Sequence, residues 1–384
     1  VGAWAAANDR DVSLTEPAAD HLVAVFATGG TTGVPKGVCY SYRTLSAIAG
    51  NYVELADHPD PVFLAAAPLT HVSGRVCLGV MAAGGTTVVL PRFDPAAVFD
   101  AIERHRVTNM MLPTTLLTRL LAHPAAETSD TSSLARVFVG ASPVPVELIR
   151  RALEVLGPVV TQNYGQTEAP MYISTMRPED YFVNGDISAG ELMPDERLAS
   201  CGRPTSVSRI RLIGADDTDV EVGEIGEILV KGAFVMDGYL DDGPATEAVS
   251  LDGWHRTGDL GTLDEEGFLR IVGRLKDLII TGGFNVYPAE IEAVIAERPD
   301  VYESAVVGVP DPDWGERVVA AIEPTANGEC DVEGLLDHVR ARLGAVKTPK
   351  EVVILDELPR NANGKLLKRV LVEELVTRDI SSAR

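Results

Sequence analysis

The chain has 384 residues, 46% of them hydrophobic and 23% charged, which suits globular domains, and its length points to two or three of them. Its 56 acidic against 33 basic residues leave a formal charge of -23, and that excludes a nucleic-acid-binding surface, where clustered Lys and Arg must neutralise phosphates. Cys39, Cys77, Cys201 and Cys330 lack metal-ligand spacing, no run reaches the roughly 18 apolar residues of a membrane span, and the start VGAWAAANDR lacks the regions of a signal peptide, so a reducing cytoplasm is expected.

In chain order, the first feature is Thr28 to Gly37, TGGTTGVPKG, set between the apolar runs Leu22 to Phe26 and Val38 to Tyr40. A segment so poor in side chains can turn backbone N–H groups and hydroxyls onto an anion, with Lys36 adding a charge. It lacks the Gly-Lys-Ser/Thr order of a Walker A loop and, taken alone, reads equally well as the turn of a hairpin. Ser41 can cap a helix carrying Leu45, Ile48, Ala49 and Tyr52 at helical spacing. A strand at Val62 to Ala66, a buried helix at Arg75 to Ala83 and a strand at Thr86 to Leu90 follow. Next come a helix near Pro95 to His105, an apolar stretch at Asn109 to Leu112, a strand at Val137 to Val139, a helix at Val146 to Leu156 and a strand at Val159 to Gln162. This alternation predicts a layered α/β domain whose sheet is mainly parallel and covered on both faces.

Arg177 to Ser200 is polar and aperiodic, and it reads as a long surface excursion. Short β-rich runs at Arg209 to Ile213, Glu227 to Val230 and Phe268 to Val272 predict a small β subdomain over about 201–272. Beyond Lys276, helix Ala289 to Glu297, strands Ser304 to Val309 and Val318 to Ile322, helix Val332 to Leu343 and strand Glu351 to Leu355 predict a smaller α+β domain. The expected division is 1–275 for the large domain and 276–384 for the second.

Five segments then require one explanation: TGGTTGVPKG, NYGQTEAP (Asn163 to Pro170), HRTGDLG (His255 to Gly261), GRLKDLIITGGFNVYPAEIE (Gly273 to Glu292) and PRNANGKLLKR (Pro359 to Arg369). In order, type and spacing they resemble the adenylate-forming (AMP-binding) superfamily of acyl-CoA synthetases, aryl-acid ligases, luciferases and peptide-synthetase adenylation domains. The resemblance covers nearly the whole chain. It implies that the amides of Gly29, Gly30 and Gly33 and the hydroxyls of Thr28, Thr31 and Thr32 hold the β and γ phosphates of ATP, with Lys36 nearby. Gly29 stands where many relatives have Ser.

By the same resemblance Tyr164 stacks on adenine, Thr167 bonds the α-phosphate and Glu168 binds Mg2+, a hard cation suited to carboxylate oxygen. Gly140, Ala141 and Ser142, with Asn163, Gly165 and Gln166, form pocket walls. Asp259 accepts the ribose hydroxyls, which suits two carboxylate oxygens, and Arg274 approaches the ribose. Lys276 is the hinge, Gly282 and Gly283 line the approach of the second substrate, and Lys365 is the mobile catalytic lysine. His71, in PLTHVSG, borders the acyl pocket. Away from this context Glu168 would read as a solvated charge, Gly258-Asp259 as a turn, and Arg274 as a surface cation.

The implied activity is AMP-forming acid–thiol ligation, as in fatty acid metabolism. A fatty or aromatic carboxylic acid is joined to AMP and passed to coenzyme A, with ATP and Mg2+ required. No Asp lies between Leu69 and Gly74, where amino-acid-activating relatives carry one, so an amino acid is disfavoured. A carrier-protein phosphopantetheine remains an alternative acceptor, a non-catalytic nucleotide-binding fragment an alternative of another class, and a homodimer an open assembly state. The start at Val1, with 27 residues before Thr28, leads to the expectation that an N-terminal layer of the large domain is missing.

Overall fold

The computed structural model describes residues 16–28, 36–56, 58–70, 72–325, 329–360 and 366–382. Its centre is a seven-stranded sheet in the order Thr86–Val89, Val62–Ala65, Asn109–Pro113, Arg136–Gly140, Val160–Gln166, Ala169–Met176 and Arg203–Pro204. The first five strands run parallel and the last two pair antiparallel. Helices connect the parallel strands, so both sheet faces are buried and the strands read as apolar runs. One such helix, Pro95–His105, begins where Asp94 Oδ1 accepts from the Ala97 amide at 3.0 Å and proline takes its first position, satisfying an otherwise orphaned donor.

Each face has its own core. Val98, Phe99, Ile102, Leu117 and Leu120 pack against one, while Ile48, Tyr52, Val76, Val80 and Phe138 pack against the other. Each such large apolar side chain contributes about 1.5–3 kcal/mol by leaving water. The helix Tyr42–Ala56 starts as anticipated, with the Thr44 amide donating to Ser41 Oγ at 3.3 Å.

Two readings change. Arg177 to Ser200 is not wholly a surface excursion, because Tyr181 and Leu198 are fully buried and Phe182 nearly so, joining the first core. Its polar residues hid these anchors, two of them adjacent and the third far along the segment, a spacing that forms no period. The strand Ala169–Met176 was also unforeseen, yet all eight of its residues are buried. Buried on both faces, it has no alternation to betray it.

Two smaller sheets flank the large one. Leu22–Ala27 pairs antiparallel with Gly37–Ser41, which also pairs with Gly238–Tyr239. Arg209–Ile213, Gly226–Lys231, Trp254–Leu263 and Ser250–Leu251 form the second sheet, with Leu269–Arg274 added beside Trp254–Leu263.

After Lys276 a separate five-stranded sheet contains Phe284–Val286, Ile279–Thr281, Gly315–Pro324, Val301–Asp311 and Glu351–Ile354. Alternate residues of Val301–Asp311 face opposite ways. Val306 joins a core under the helices Pro288–Ile295 and Val332–Lys347, and Ala305 and Val307 join one under Leu371 and Leu375 of the helix Lys368–Ser382. The chain is thus mixed α/β with several sheets. Among the described residues no helix is long and apolar enough to cross a membrane.

Candidate functional site

A cavity of about 510 Å³ opens at the C-terminal ends of the parallel strands, reached by Pro113, Ala141 and Asn163. Open α/β sheets commonly receive ligands at this edge. Ala67, Pro68 and the start of the helix Val72–Ala82 wall one side, Thr28, Lys36 and Tyr239 another, and Arg274 and Lys276 complete the lining.

Thr167 and Glu168 occupy the turn between Val160–Gln166 and Ala169–Met176, where Gln166 pairs with Ala169. That turn is fastened on three sides. The Tyr40 hydroxyl donates to the Thr167 carbonyl, the Met236 amide donates to the Glu168 carbonyl at 2.8 Å, and Gln166 Nε2 donates to the Thr257 carbonyl at 3.2 Å. A glycine is needed beside it, since a Cβ on Gly165 would stand 2.3 Å from the Met171 nitrogen. The Tyr239 hydroxyl donates to Glu168 Oε1 at 2.9 Å, and Lys36 Nζ lies 4.7 Å from the centre of the Tyr239 ring. Burial and then the Glu168 charge raise the Tyr239 phenol well above its ordinary value, so it is a neutral donor to the carboxylate. The neck of the glycine-rich loop is closed by the Thr28 amide on the Lys36 carbonyl at 2.9 Å and by the Lys36 amide on Thr28 Oγ1 at 3.2 Å.

A second constellation lies behind Arg274. Asp259, in the strand Trp254–Leu263, is 5% exposed. Tyr164 donates to its Oδ2 at 2.7 Å, and Arg274 Nε lies 3.1 Å from its Oδ1 across a paired register. Burial foremost, then the Asp259 charge, raises the Tyr164 phenol. Lys276 is pulled below the ordinary lysine range by desolvation, against the opposing charge of Asp277.

Of the residues singled out in the sequence, Thr28, Lys36, Ala141, Asn163, Gly165, Gln166, Thr167, Glu168, Arg274 and Lys276 line this one cavity. Tyr164, Asp259, Gly140 and Ser142 are not among its lining residues; the first three are buried and Ser142 is exposed. Gly282 and Gly283 form the turn of the hairpin between Ile279–Thr281 and Phe284–Val286, with φ of 57° and 81°, so backbone conformation by itself accounts for glycine there. They do not line the cavity. Gly29, Gly30, Thr31, Thr32, Gly33, His71 and Lys365 lie outside the described residues.

Tyr239, Tyr40 and Arg75 were missed. Tyr239 has no local signal, because its partner Glu168 is 71 positions away. Arg75 does have one, as a lone cation in the otherwise apolar helix Val72–Ala82. Among the described residues no three His, Cys, Asp or Glu side chains converge on a metal position. Glu168 alone fits a cation that arrives with phosphate oxygens and water, the usual setting of Mg2+.

Residues 3–240 match the family model described as AMP-binding enzyme, and residues 290–365 match the AMP-binding enzyme C-terminal domain. A medium/long-chain-fatty-acid–CoA ligase of Mycobacterium tuberculosis is 39% identical over 92% of this chain and 61% of its own length. An indoleacetate–CoA ligase of Aromatoleum aromaticum is 41% identical over 91% of this chain and 66% of its own. The chain therefore spans less than two thirds of either relative. Among solved structures, ATP-bound MatB from Rhodopseudomonas palustris superposes with a TM-score of 0.85 at 34% identity, covering 97% of this chain and 72% of that one. The o-succinylbenzoate CoA synthetase of Bacillus subtilis, in complex with its acyl-adenylate intermediate, gives a TM-score of 0.82 at 36% identity, covering 92% of this chain and 69% of that one. The match to the family model over more than half of the sequence, together with these relatives, establishes that the chain belongs to the family of AMP-binding enzymes.

Proposed function

We propose that the protein activates a fatty or aromatic carboxylic acid with ATP, forming an acyl-adenylate and pyrophosphate, and then transfers the acyl group to coenzyme A with release of AMP. The observation that carries this reading is the Thr167-Glu168 turn, fixed at the cavity wall with Lys36 alongside. It sets a hydroxyl, a carboxylate and a cation around a space suited to a nucleotide phosphate and its metal. CoA-ligase relatives with fatty, indoleacetic, ferulic and succinylbenzoic acids in their names support the acid class and the acceptor.

In this reading Thr28, Lys36 and Thr167 hold phosphate oxygens, and Glu168 holds Mg2+, which supplies charge neutralisation at the phosphates when bound. Asp259 takes the ribose hydroxyls, with Tyr164 and Arg274 fixing its carboxylate. Fixed donors and charges cost no reorganisation as the reaction proceeds, which is the source of electrostatic catalysis. Lys276 is the hinge between a domain of 1–275 and one of 276–384, and the second brings Lys365 to the α-phosphate for the first half-reaction. The setting is the cytoplasm.

The test measures pyrophosphate release with octanoate, indoleacetate, ferulate and 2-succinylbenzoate, then thioester formation with coenzyme A. Absence of pyrophosphate release with all four acids would sink the reading. Adenylate formation followed by transfer only to a carrier protein would replace coenzyme A as acceptor. Lys365→Ala should abolish adenylate formation yet leave a supplied acyl-adenylate able to react with the thiol. Normal adenylate formation in that variant would remove Lys365 from the first step.

A further inference from the structure

Arg75 is 6% exposed and lines the cavity. Its Nε has no hydrogen-bond partner, and its Nη1 donates to the Tyr40 hydroxyl at a long 3.4 Å. Its guanidinium carbon lies 5.0 Å from the centre of the Phe26 ring. Among the described residues no carboxylate pairs with it, in contrast to Arg274 on Asp259. A buried charge without a counter-charge costs several kcal/mol, a cost that an anionic ligand in the cavity would offset by supplying the missing partner.

Tyr40 cannot be that partner. Burial raises its phenol to about 12, so it is neutral, and its single hydrogen is already given to the Thr167 carbonyl. The contact nevertheless locates the guanidinium. Arg75 lies one hydroxyl away from the Thr167-Glu168 turn, on a helix whose first residues, Val72 and Ser73, wall the same cavity with Pro68 and Met111. It thus stands where the apolar side of the cavity meets the side carrying Thr167 and Glu168.

We infer that Arg75 binds the carboxylate of the acid substrate and holds it facing Thr167, an inference that rests on the acid-activating reading above. A guanidinium offers a planar fork matched to two carboxylate oxygens and stays charged throughout. In the step it serves, one carboxylate oxygen forms a bond to the α-phosphorus. The bond from that phosphorus to the oxygen bridging to the β-phosphate breaks, and pyrophosphate leaves with the electron pair. Arg75 transfers no proton. Its charge offsets the repulsion between two approaching anions.

The test compares Arg75→Met, Arg75→Lys and Tyr40→Phe with the unmodified protein. Calorimetry reads the binding of octanoate, indoleacetate, ferulate, 2-succinylbenzoate and a non-hydrolysable ATP analogue, and pyrophosphate release reads KM and kcat. Arg75→Met should weaken every acid at least about tenfold, as expected for lost charge-assisted hydrogen bonds, and leave the ATP analogue within about twofold. Arg75→Lys should recover part of the loss, and Tyr40→Phe should leave acid affinity within about threefold.

Lost nucleotide affinity with unchanged acid affinity would make Arg75 a phosphate ligand and overturn the inference. A loss confined to 2-succinylbenzoate would assign it to a distal carboxylate and do the same. Equal losses in Arg75→Met and Tyr40→Phe would mean Arg75 acts only by bracing the turn. If Arg75→Met does not fold, Arg75→Lys decides, since unchanged affinity for all four acids overturns the inference. Unmodified protein that binds acids but releases no pyrophosphate would defeat the ligase reading and leave the Arg75 comparison standing.

Discussion

Two carboxylates in this molecule are each held by a tyrosine, and their surroundings differ. Asp259 is buried, bonded to Tyr164 at 2.7 Å and paired with Arg274 at 3.1 Å. Glu168 is half-buried on the cavity wall, bonded to Tyr239 at 2.9 Å, with Lys36 set against the tyrosine ring rather than on the carboxylate. One pair is embedded between packed strands and the other borders open space. A buried charged partner is expensive to orphan, whereas a half-exposed one is rescued by water. The Asp259 pair should therefore govern both folding and ligand binding, and the Glu168 pair chiefly the reaction.

The largest expected effect comes from Glu168→Ala. Pyrophosphate release should fall about 10²- to 10³-fold, roughly 3–4 kcal/mol in the barrier, with the unfolding free energy nearly unchanged. A comparable loss of stability in denaturant titration would erase the contrast between the two pairs.

Acid should strain the buried end next. His255 lies four positions before Asp259 in the same strand, and burial holds its imidazole down at about 4, against a weaker opposing bond to the Val249 backbone. The folded protein keeps it neutral while the unfolded chain takes a proton below about pH 6.5. The unfolded state thus binds more protons between about pH 6.5 and 4, and stability falls with pH across that window by on the order of 3 kcal/mol. Unfolding at several pH values should show this slope, and His255→Leu should flatten it. An unchanged slope would place the acid sensitivity elsewhere.

Asp259→Ala strands both Tyr164 and Arg274, so unfolding free energy and AMP affinity should each drop by about 1.5–3 kcal/mol. Calorimetry with AMP checks the second. Unaltered affinity removes Asp259 from the nucleotide site while leaving its structural role. The smallest effect belongs to Tyr239→Phe, which deletes one hydrogen bond to a half-exposed carboxylate. Stability should change by less than about 1 kcal/mol, and the Mg2+ concentration for half-maximal pyrophosphate release should rise several-fold. No change in the Mg2+ response would mean that Tyr239 does not orient Glu168.

Much of the architecture could be read from local sequence. The apolar runs at Leu22 to Phe26 and Val38 to Tyr40 became a hairpin, and the alternation from Val62 to Gln162 became the parallel part of the large sheet. Where reading failed, at Arg177 to Ser200 and Ala169–Met176, burial left no local pattern to read, and elsewhere a local look misleads. Gly258 and Asp259 look like a turn, yet they lie in the ten-residue strand Trp254–Leu263, where Gly258 takes a φ of 69° and pairing continues on both sides.

Residue order and chemical type, which are properties of the chain alone, determined the family resemblance, the α/β class and the candidate residues. Convergence was decided only in three dimensions. Tyr164 meets Asp259 across 95 positions, Glu168 meets Tyr239 across 71, and Arg75 meets Tyr40 across 35. No periodicity encodes such contacts, because each depends on which strands become neighbours once apolar faces on both sides of the sheet have been buried. Burial then turns ordinary side chains into unusual ones, leaving Tyr164 a neutral donor to a buried carboxylate and Arg75 a cation without a counter-charge among its described neighbours.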